Sequence, residues 1–308
     1  MENTGPGRRA AGLLSLLVIY FVWGSTYLAI RVAVREEGGF PPFFLGATRL
    51  FAASLILLCW IRLRRMQIRL SRREFMITAV SGLALWVGGN GMVNWAEQHA
   101  ASGYAALVIG STPIFTCLME AALDRRWPGA RLLAPVLIGF AGLAVLSWPV
   151  VRAGDAADCL STAALLAATL SWGGGSVYLS RRALNVPSLV GSFYQQLVGG
   201  LGFLLFALLA GEPAPTPTVE ALLAWAYLVV FGSLVAFTLY LVALRNLPVA
   251  VVMTYAYVNP VLAVALGWLL LNESLSWWTA AGTALILLGV AGVFREKYGK
   301  NSASSISS

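Results

Sequence analysis

The stretch Thr254-Tyr255-Ala256-Tyr257-Val258-Asn259-Pro260 puts two tyrosines, an amide and a proline inside an apolar segment that runs from Val249 to Leu271. A segment of this length crosses the hydrocarbon core of a bilayer as a helix, which takes about 20 residues. The mid-segment proline removes one backbone donor and leaves the carbonyl about one turn earlier, near Ala256, without its usual partner. Hydrocarbon tolerates such a kink only where neighbouring helices or trapped water satisfy the backbone. Leu107-Val108-Ile109-Gly110-Ser111-Thr112-Pro113-Ile114-Phe115 has the same design, with hydroxyls just ahead of Pro113 in an apolar run. Two bent membrane helices are therefore the features from which the rest of the chain is read.

Working outward, 59% of the 308 residues are hydrophobic, 11% are charged and the mean hydropathy is +0.78. That combination excludes an ordinary soluble domain and points to an integral membrane protein. Ten apolar segments are bounded by charged and turn residues, at about 12–34, 43–62, 74–96, 101–122, 130–149, 159–180, 189–209, 220–244, 249–271 and 277–294. The expected fold class is all-α, with ten transmembrane helices. The first segment follows Arg8 and Arg9 but exceeds the apolar core of a cleavable signal peptide, about 7–15 residues, and is read as a retained span. Cys59, Cys117 and Cys159 lie in or beside apolar segments without ligand spacing, so neither a disulfide framework nor a metal site is expected, and no cofactor.

The net charge of +8 sorts by loop. With the amino terminus inside, every Lys and Arg except Arg31, Arg35, Arg49 and Arg152 falls on the inner face, in the runs around Arg62–Arg73, Arg125–Arg131, Arg181–Arg182, Arg245 and Arg295–Lys300. The excess of basic residues on cytoplasmic loops then predicts both termini in the cytoplasm. The positive charge is thus a topology signal, and nucleic acid is not an expected partner.

The chain also repeats. Trp23-Gly24-Ser25 is answered by Trp172-Gly173-Gly174, Pro113 by Pro260, and Gly139 and Gly142 by Gly289 and Gly292, each about 150 positions on. Two units are expected, over 10–150 and 159–295, followed by a disordered cytoplasmic tail over 296–308. Because each unit holds five helices, the second enters the membrane upside down. Such inverted repeats build transporters whose binding site lies near the midplane between the halves.

Polar groups at membrane depth are costly unless paired or wetted, which makes them site candidates. Trp86, Asn90 and Asn94 recur at i, i+4 and i+8 on one face of the third segment, and Tyr20, Trp23 and Tyr27 share a face of the first. Trp172 and Ser176 come from the sixth segment, and Tyr255, Tyr257 and Asn259 from the ninth. Together they predict a wet central cavity, although each taken singly also fits helix packing. Arg49, about 9 Å inside the second segment by helix rise, either braces the helices or anchors a substrate carboxylate. Pro113 and Pro260 are the candidate hinges. Glu97, His99, Glu120 and Glu273 lie at segment ends and offer no clear proton relay at the midplane. There are no paired carboxylates at depth, only one histidine and no phosphate-binding loop, so no enzyme chemistry is read.

Taken together, Trp23-Gly24-Ser25-Thr26-Tyr27, Arg49, Gly89-Asn90-Gly91-Met92-Val93, Ser102-Gly103, Pro113, Ser171-Trp172, Ser176-Val177-Tyr178 and Tyr255–Pro260 resemble the drug/metabolite transporter superfamily. The group resembled is the ten-helix bacterial exporters with two EamA domains, which include exporters of aromatic and other amino acids. The resemblance implies a bacterial inner-membrane location. It also implies a basket in which the first, third, fourth, sixth, eighth and ninth helices surround a cavity, with the fifth and tenth peripheral. The expected function is export of amino acids or similar small neutral or zwitterionic metabolites by alternating access, independent of a strict proton requirement. Efflux of cationic or amphiphilic toxic compounds is the alternative. A membrane-embedded enzyme or scaffold is the alternative of another class.

Overall fold

The computed structural model describes residues 6–303 except 36, 99, 101, 153–158, 183 and 272–275. Among these the chain forms α1 (Pro6–Ala33), α2 (Pro42–Leu63), α3 (Arg72–Ala96) and α4, which runs as Ser102–Ile109 and then Thr112–Asp124. There follow α5 (Ala130–Arg152), α6 (Cys159–Ser180), α7 (Ser188–Leu209) and α8 (Val219–Asn246). Last come α9, as Val249–Val252 and then Tyr255–Leu271, and α10 (Trp277–Ala303). Among the described residues, eight helices are long and apolar enough to cross a membrane. The other two are α6, diluted by hydroxyls and a Gly173–Gly175 run, and α9, whose described apolar stretch is Val249–Leu262. The protein is an all-α integral membrane protein.

Local chemistry explains several ends. Ser71 accepts from the Glu74 amide while Glu74 reaches back to the Ser71 amide, a reciprocal cap that starts α3. Pro41 and Pro187 stand immediately before α2 and α7, where a missing N–H costs nothing. The free amides of Phe43 and Phe44 at the start of α2 donate to Glu212 Oε1 and Oε2, at 2.9 and 2.8 Å. The loop after α7 is therefore fastened to α2, and the Thr218 amide adds a bond to the Gly38 carbonyl at 2.7 Å.

Burial follows the logic of a bilayer. Leu14, Leu55, Leu205 and Leu223 point outward, whereas Ser81, Thr116, Gln195, Gln196 and Thr254 are buried. With lipid tails as apolar as leucine, hydroxyls, amides and small residues become the material of helix contacts.

The packing partners form a pattern. α5 lies along α10 and α2 along α7; α1 packs on α8 and α9, as α6 packs on α3 and α4. Adding five to each helix number returns the same set of pairs. The Trp-Gly repeat has its physical reason here. A side chain at Gly24 would press on Leu262 and the Asn259 carbonyl of α9, at 3.1 and 3.3 Å, and one at Gly173 would meet Thr116 of α4 at 2.9 Å. Each glycine admits the broken helix of the other half. The seam between α5 and α10 is closer still: a Cβ on Gly289 would stand 2.5 Å from the Gly139 amide nitrogen.

Three local readings need revision. α10 continues to Ala303, so residues 296–303 are helical rather than a tail, and the Arg9 guanidinium covers the Tyr298 ring at 3.8 Å, holding the two chain ends together. α4 breaks at Gly110–Ser111, just before Pro113 as expected. α9 breaks at Met253–Thr254, and Pro260 lies inside its second part. Finally, α3 and α8 each contain a nine-residue π-helical stretch, Leu83–Gly91 and Leu228–Ala236, at corresponding places in the two halves. Wide turns of this kind are rare and concentrate at functional sites. No feature of the residue spacing announced them.

Candidate functional site

The π stretch of α3, the Trp-Gly turns of α1 and α6 and the two helix breaks converge on one cavity. Its wall takes Trp23, Thr26 and Ile30 from α1, Arg49 from α2, Trp86, Gly89, Asn90 and Val93 from α3, and Ile109 and Thr112 from α4. Ala168, Thr169 and Trp172 of α6 and Tyr255 and Asn259 of α9 complete it. About 80 Å³ is open to the centre of a water-sized molecule. Among the described residues, none from α5 or α10 lines the wall.

At its centre the two repeat tryptophans meet. Trp23 and Trp172 stand edge to face with ring centroids 5.5 Å apart. Trp23 also contacts Tyr255 at 4.9 Å, and Trp172 contacts Trp86 at 6.4 Å. Tyr240 of α8 packs behind them, 5.1 Å from Trp23 and 5.6 Å from Trp172. Pairs of this geometry each contribute about 0.5–1.5 kcal/mol beyond area burial, so the cluster is a stiff aromatic surface.

The polar groups are held from behind. The Arg49 Nε donates to Ser233 Oγ in the α8 π stretch at 2.7 Å, and the guanidinium carbon lies 5.3 Å from the Trp86 ring centroid. The side chain is 4% exposed, and no carboxylate lies within ion-pair distance of it among the described residues. Asn259, whose amide is assigned from its two acceptor neighbours so that the nitrogen donates to the Tyr20 and Tyr255 carbonyls at 3.2 and 3.1 Å, pins α9 against α1. Tyr20 and Thr254 hydroxyls meet at 2.6 Å beside the α9 break. Three buried atoms on residues of the cavity wall have no hydrogen-bond partner: the Trp86 and Trp172 indole nitrogens and Asn90 Oδ1.

Of the residues expected at the site, the structure brings together Trp23, Asn90, Trp172, Tyr255, Asn259 and Arg49. It places three others elsewhere. The Tyr257 hydroxyl donates to the Val136 carbonyl at 2.8 Å and its ring packs with Leu143 and Ile286, on the α5–α10 side. Two positions along a helix are about 200° around its axis, which sends Tyr255 and Tyr257 to opposite faces. Asn94 is beyond the end of the cavity, its amide 3.5 Å from the Pro42 carbonyl. Ser176 is beneath Trp172, donating to that residue's carbonyl at 2.6 Å and meeting the Tyr240 hydroxyl at 2.5 Å. The Tyr27 side chain, like His99 and Glu273, lies outside the described residues. Sequence reading missed Thr26, Thr112 and Thr169 in the wall and Tyr240 behind the two tryptophans. A phenol amid the apolar α8 was the only signal for the last.

Comparison with known proteins adds the family. The model of the EamA-like transporter family matches residues 10–148 and again 161–295. An uncharacterised inner membrane transporter of Escherichia coli (strain K12), YedA, is 34% identical over 293 residues, covering 92% of this chain and 90% of its own length. A probable terminal-alkyne amino-acid exporter of Streptantibioticus cattleyicolor is 26% identical over 293 residues, 94% of this chain and 96% of its own. A solved crystal structure superposes with a TM-score of 0.75 at 22% identity over 94% of this chain and 98% of that one, a likeness of fold. With both halves matched and the relatives aligned nearly end to end, the chain belongs to the EamA-like transporter family and is a membrane transporter.

Proposed function

We propose that this transporter exports amino acids or similar small neutral or zwitterionic metabolites across the bacterial inner membrane by alternating access. The observation that carries this reading is the cavity itself: aromatic faces from Trp23, Trp172 and Tyr255 beside the amides of Asn90 and Asn259. Such a lining offers stacking area and both donors and acceptors, which suits a small zwitterion with an apolar side chain. The similarity to a probable amino-acid exporter supports the same class.

The packing pattern supports two inverted units over 10–150 and 159–295. The Arg9–Tyr298 contact and the distribution of arginines support both chain ends lying on the cytoplasmic face. The breaks in α4 and α9 are the hinges, with Pro113 just after the first and Pro260 inside the helix that follows the second. Replacing either proline with alanine restores a backbone donor and slows flux without loss of folded protein; unaltered flux in both variants refutes this role.

Export is tested by counterflow in proteoliposomes holding the purified chain. Labelled leucine, methionine or phenylalanine accumulates against unlabelled amino acid inside, and does so with or without an imposed pH difference. The aromatic walls favour one rival, efflux of cationic amphiphiles. Counterflow of cationic dyes with none of amino acids establishes the rival instead.

A further inference from the structure

Arg49 does not read as a helix brace alone. A brace arginine satisfies its fork with carbonyls or a carboxylate, because a buried unpaired charge costs several kcal/mol. Here one nitrogen is taken up by Ser233 Oγ, no carboxylate is in reach among the described residues, and the side chain belongs to the cavity wall. The same wall carries the unpartnered Trp86 indole N–H, a donor, and the unpartnered Asn90 Oδ1, an acceptor. Buried polar groups are nearly always paired, so a cluster of such atoms around one space marks where a ligand completes them.

We infer that Arg49 is the receptor for a carboxylate on the transported molecule, with the Trp86 indole N–H as an additional donor and Asn90 Oδ1 as acceptor for its ammonium group. The inference rests on the proposed export of amino acids and narrows it to molecules that carry both charges. A planar guanidinium matches a carboxylate through parallel hydrogen bonds, which an ammonium ion on a lysine cannot reproduce. The indole nitrogen is a donor only and the amide oxygen an acceptor only, so the two ends of a zwitterion are told apart by chemistry rather than by shape. Trp23, Trp172 and Tyr255 are left to cover the side chain, with little discrimination among apolar ones. The arrangement also sorts cargo by charge. A cation without a carboxylate meets Arg49 uncompensated, and a dianion such as a sugar phosphate finds one cation where it needs more.

The test uses the full chain in proteoliposomes, with counterflow of labelled leucine, methionine and phenylalanine. The competitors are the unlabelled amino acids and the matching amino alcohols, which keep ammonium and side chain but lack the carboxylate. The expected result is at least ten-fold weaker competition by the alcohols, in the wild-type chain and so without dependence on any variant's folding. In Arg49→Gln, amino-acid flux falls at least ten-fold and the preference for acid over alcohol disappears; in Arg49→Lys part of the flux and part of the preference return. Folded amount is followed by size-exclusion profile in detergent. Amino acids that counterflow while the alcohols compete equally well overturn the carboxylate receptor and leave amino-acid export standing. Counterflow of cationic dyes and of no amino acid overturns both.

Discussion

Arg49 and Gln195 occupy the same place in the two halves and do different work. Each is the eighth residue of a 22-residue helix, Pro42–Leu63 and Ser188–Leu209, and each helix follows a proline of nearly equal backbone angles, φ −57, ψ 142 and φ −54, ψ 141. Each side chain reaches across to a serine hydroxyl of the opposite half at 2.7 Å, Arg49 to Ser233 and Gln195 to Ser81. Only the arginine reaches the cavity. The duplicated frame supplies two equivalent positions for a polar side chain, and the charge is placed at one of them. Symmetry therefore governs how the helices stack, whereas the buried charge is held on one side of the axis.

The strongest way to break this comparison is to place the charge at the other position. Gln195→Arg buries a guanidinium away from the cavity, at a cost of several kcal/mol, and the expected outcome is loss of monodisperse protein in detergent. A folded, active Gln195→Arg chain shows the two halves to be interchangeable and removes the distinction. Next in size is the α5–α10 seam, which belongs to the frame. Gly289→Ala drives a methyl onto the Gly139 backbone and lowers stability by about 1–3 kcal/mol, read as a fall in melting temperature. Gly129→Ala, with nothing within 4 Å, changes stability by under about 0.5 kcal/mol.

The cavity wall sharpens the comparison from the other direction. Asn90→Ala and Trp172→Ala each reduce amino-acid flux several-fold with normal amounts of folded protein, measured as initial counterflow rates. Tyr257→Phe removes the bond to the Val136 carbonyl, lowers stability by about 1 kcal/mol and leaves flux unchanged, since the phenol faces away from the cavity. A flux defect in Tyr257→Phe that exceeds its stability defect returns that residue to the site. Smallest is Trp278→Ala, whose ring packs on Trp148 and Trp277 at the outer end of the α5–α10 pair, with flux within the scatter of the assay.

Much of this was legible because the bilayer writes simple rules into a sequence. Apolar length and arginine placement located the helices, and polar residues at depth located the cavity: Trp23, Asn90, Trp172, Tyr255 and Asn259 do converge. What spacing along a helix does not give is depth relative to the neighbouring helix. Asn94 and Ser176 lie near the expected surfaces but one turn beyond the space, where they meet a carbonyl and a phenol instead. Tyr257 illustrates a separate error, in which nearness in sequence was allowed to stand for nearness in space although helical geometry separates it from Tyr255. The α9 break was drawn to Pro260 because proline lacks a donor. In the structure the break falls earlier, where Thr254 Oγ1 satisfies the Val251 carbonyl and the Tyr20 hydroxyl binds that same oxygen. Tertiary partners decided that position, as they did the two π-helical stretches.

The Glu212 carboxylate at the start of α2 has a mechanical meaning. One side chain holds two consecutive amides, so withdrawal of the loop takes both partners away from the start of α2. Arg49 is six residues further along the same helix, about 9 Å by helix rise. The end of α7 is thus tied to the helix that carries the cavity's cation, across the boundary between halves. A chain lengthened between Leu209 and Val219 keeps every helix intact and still lets that tie go slack.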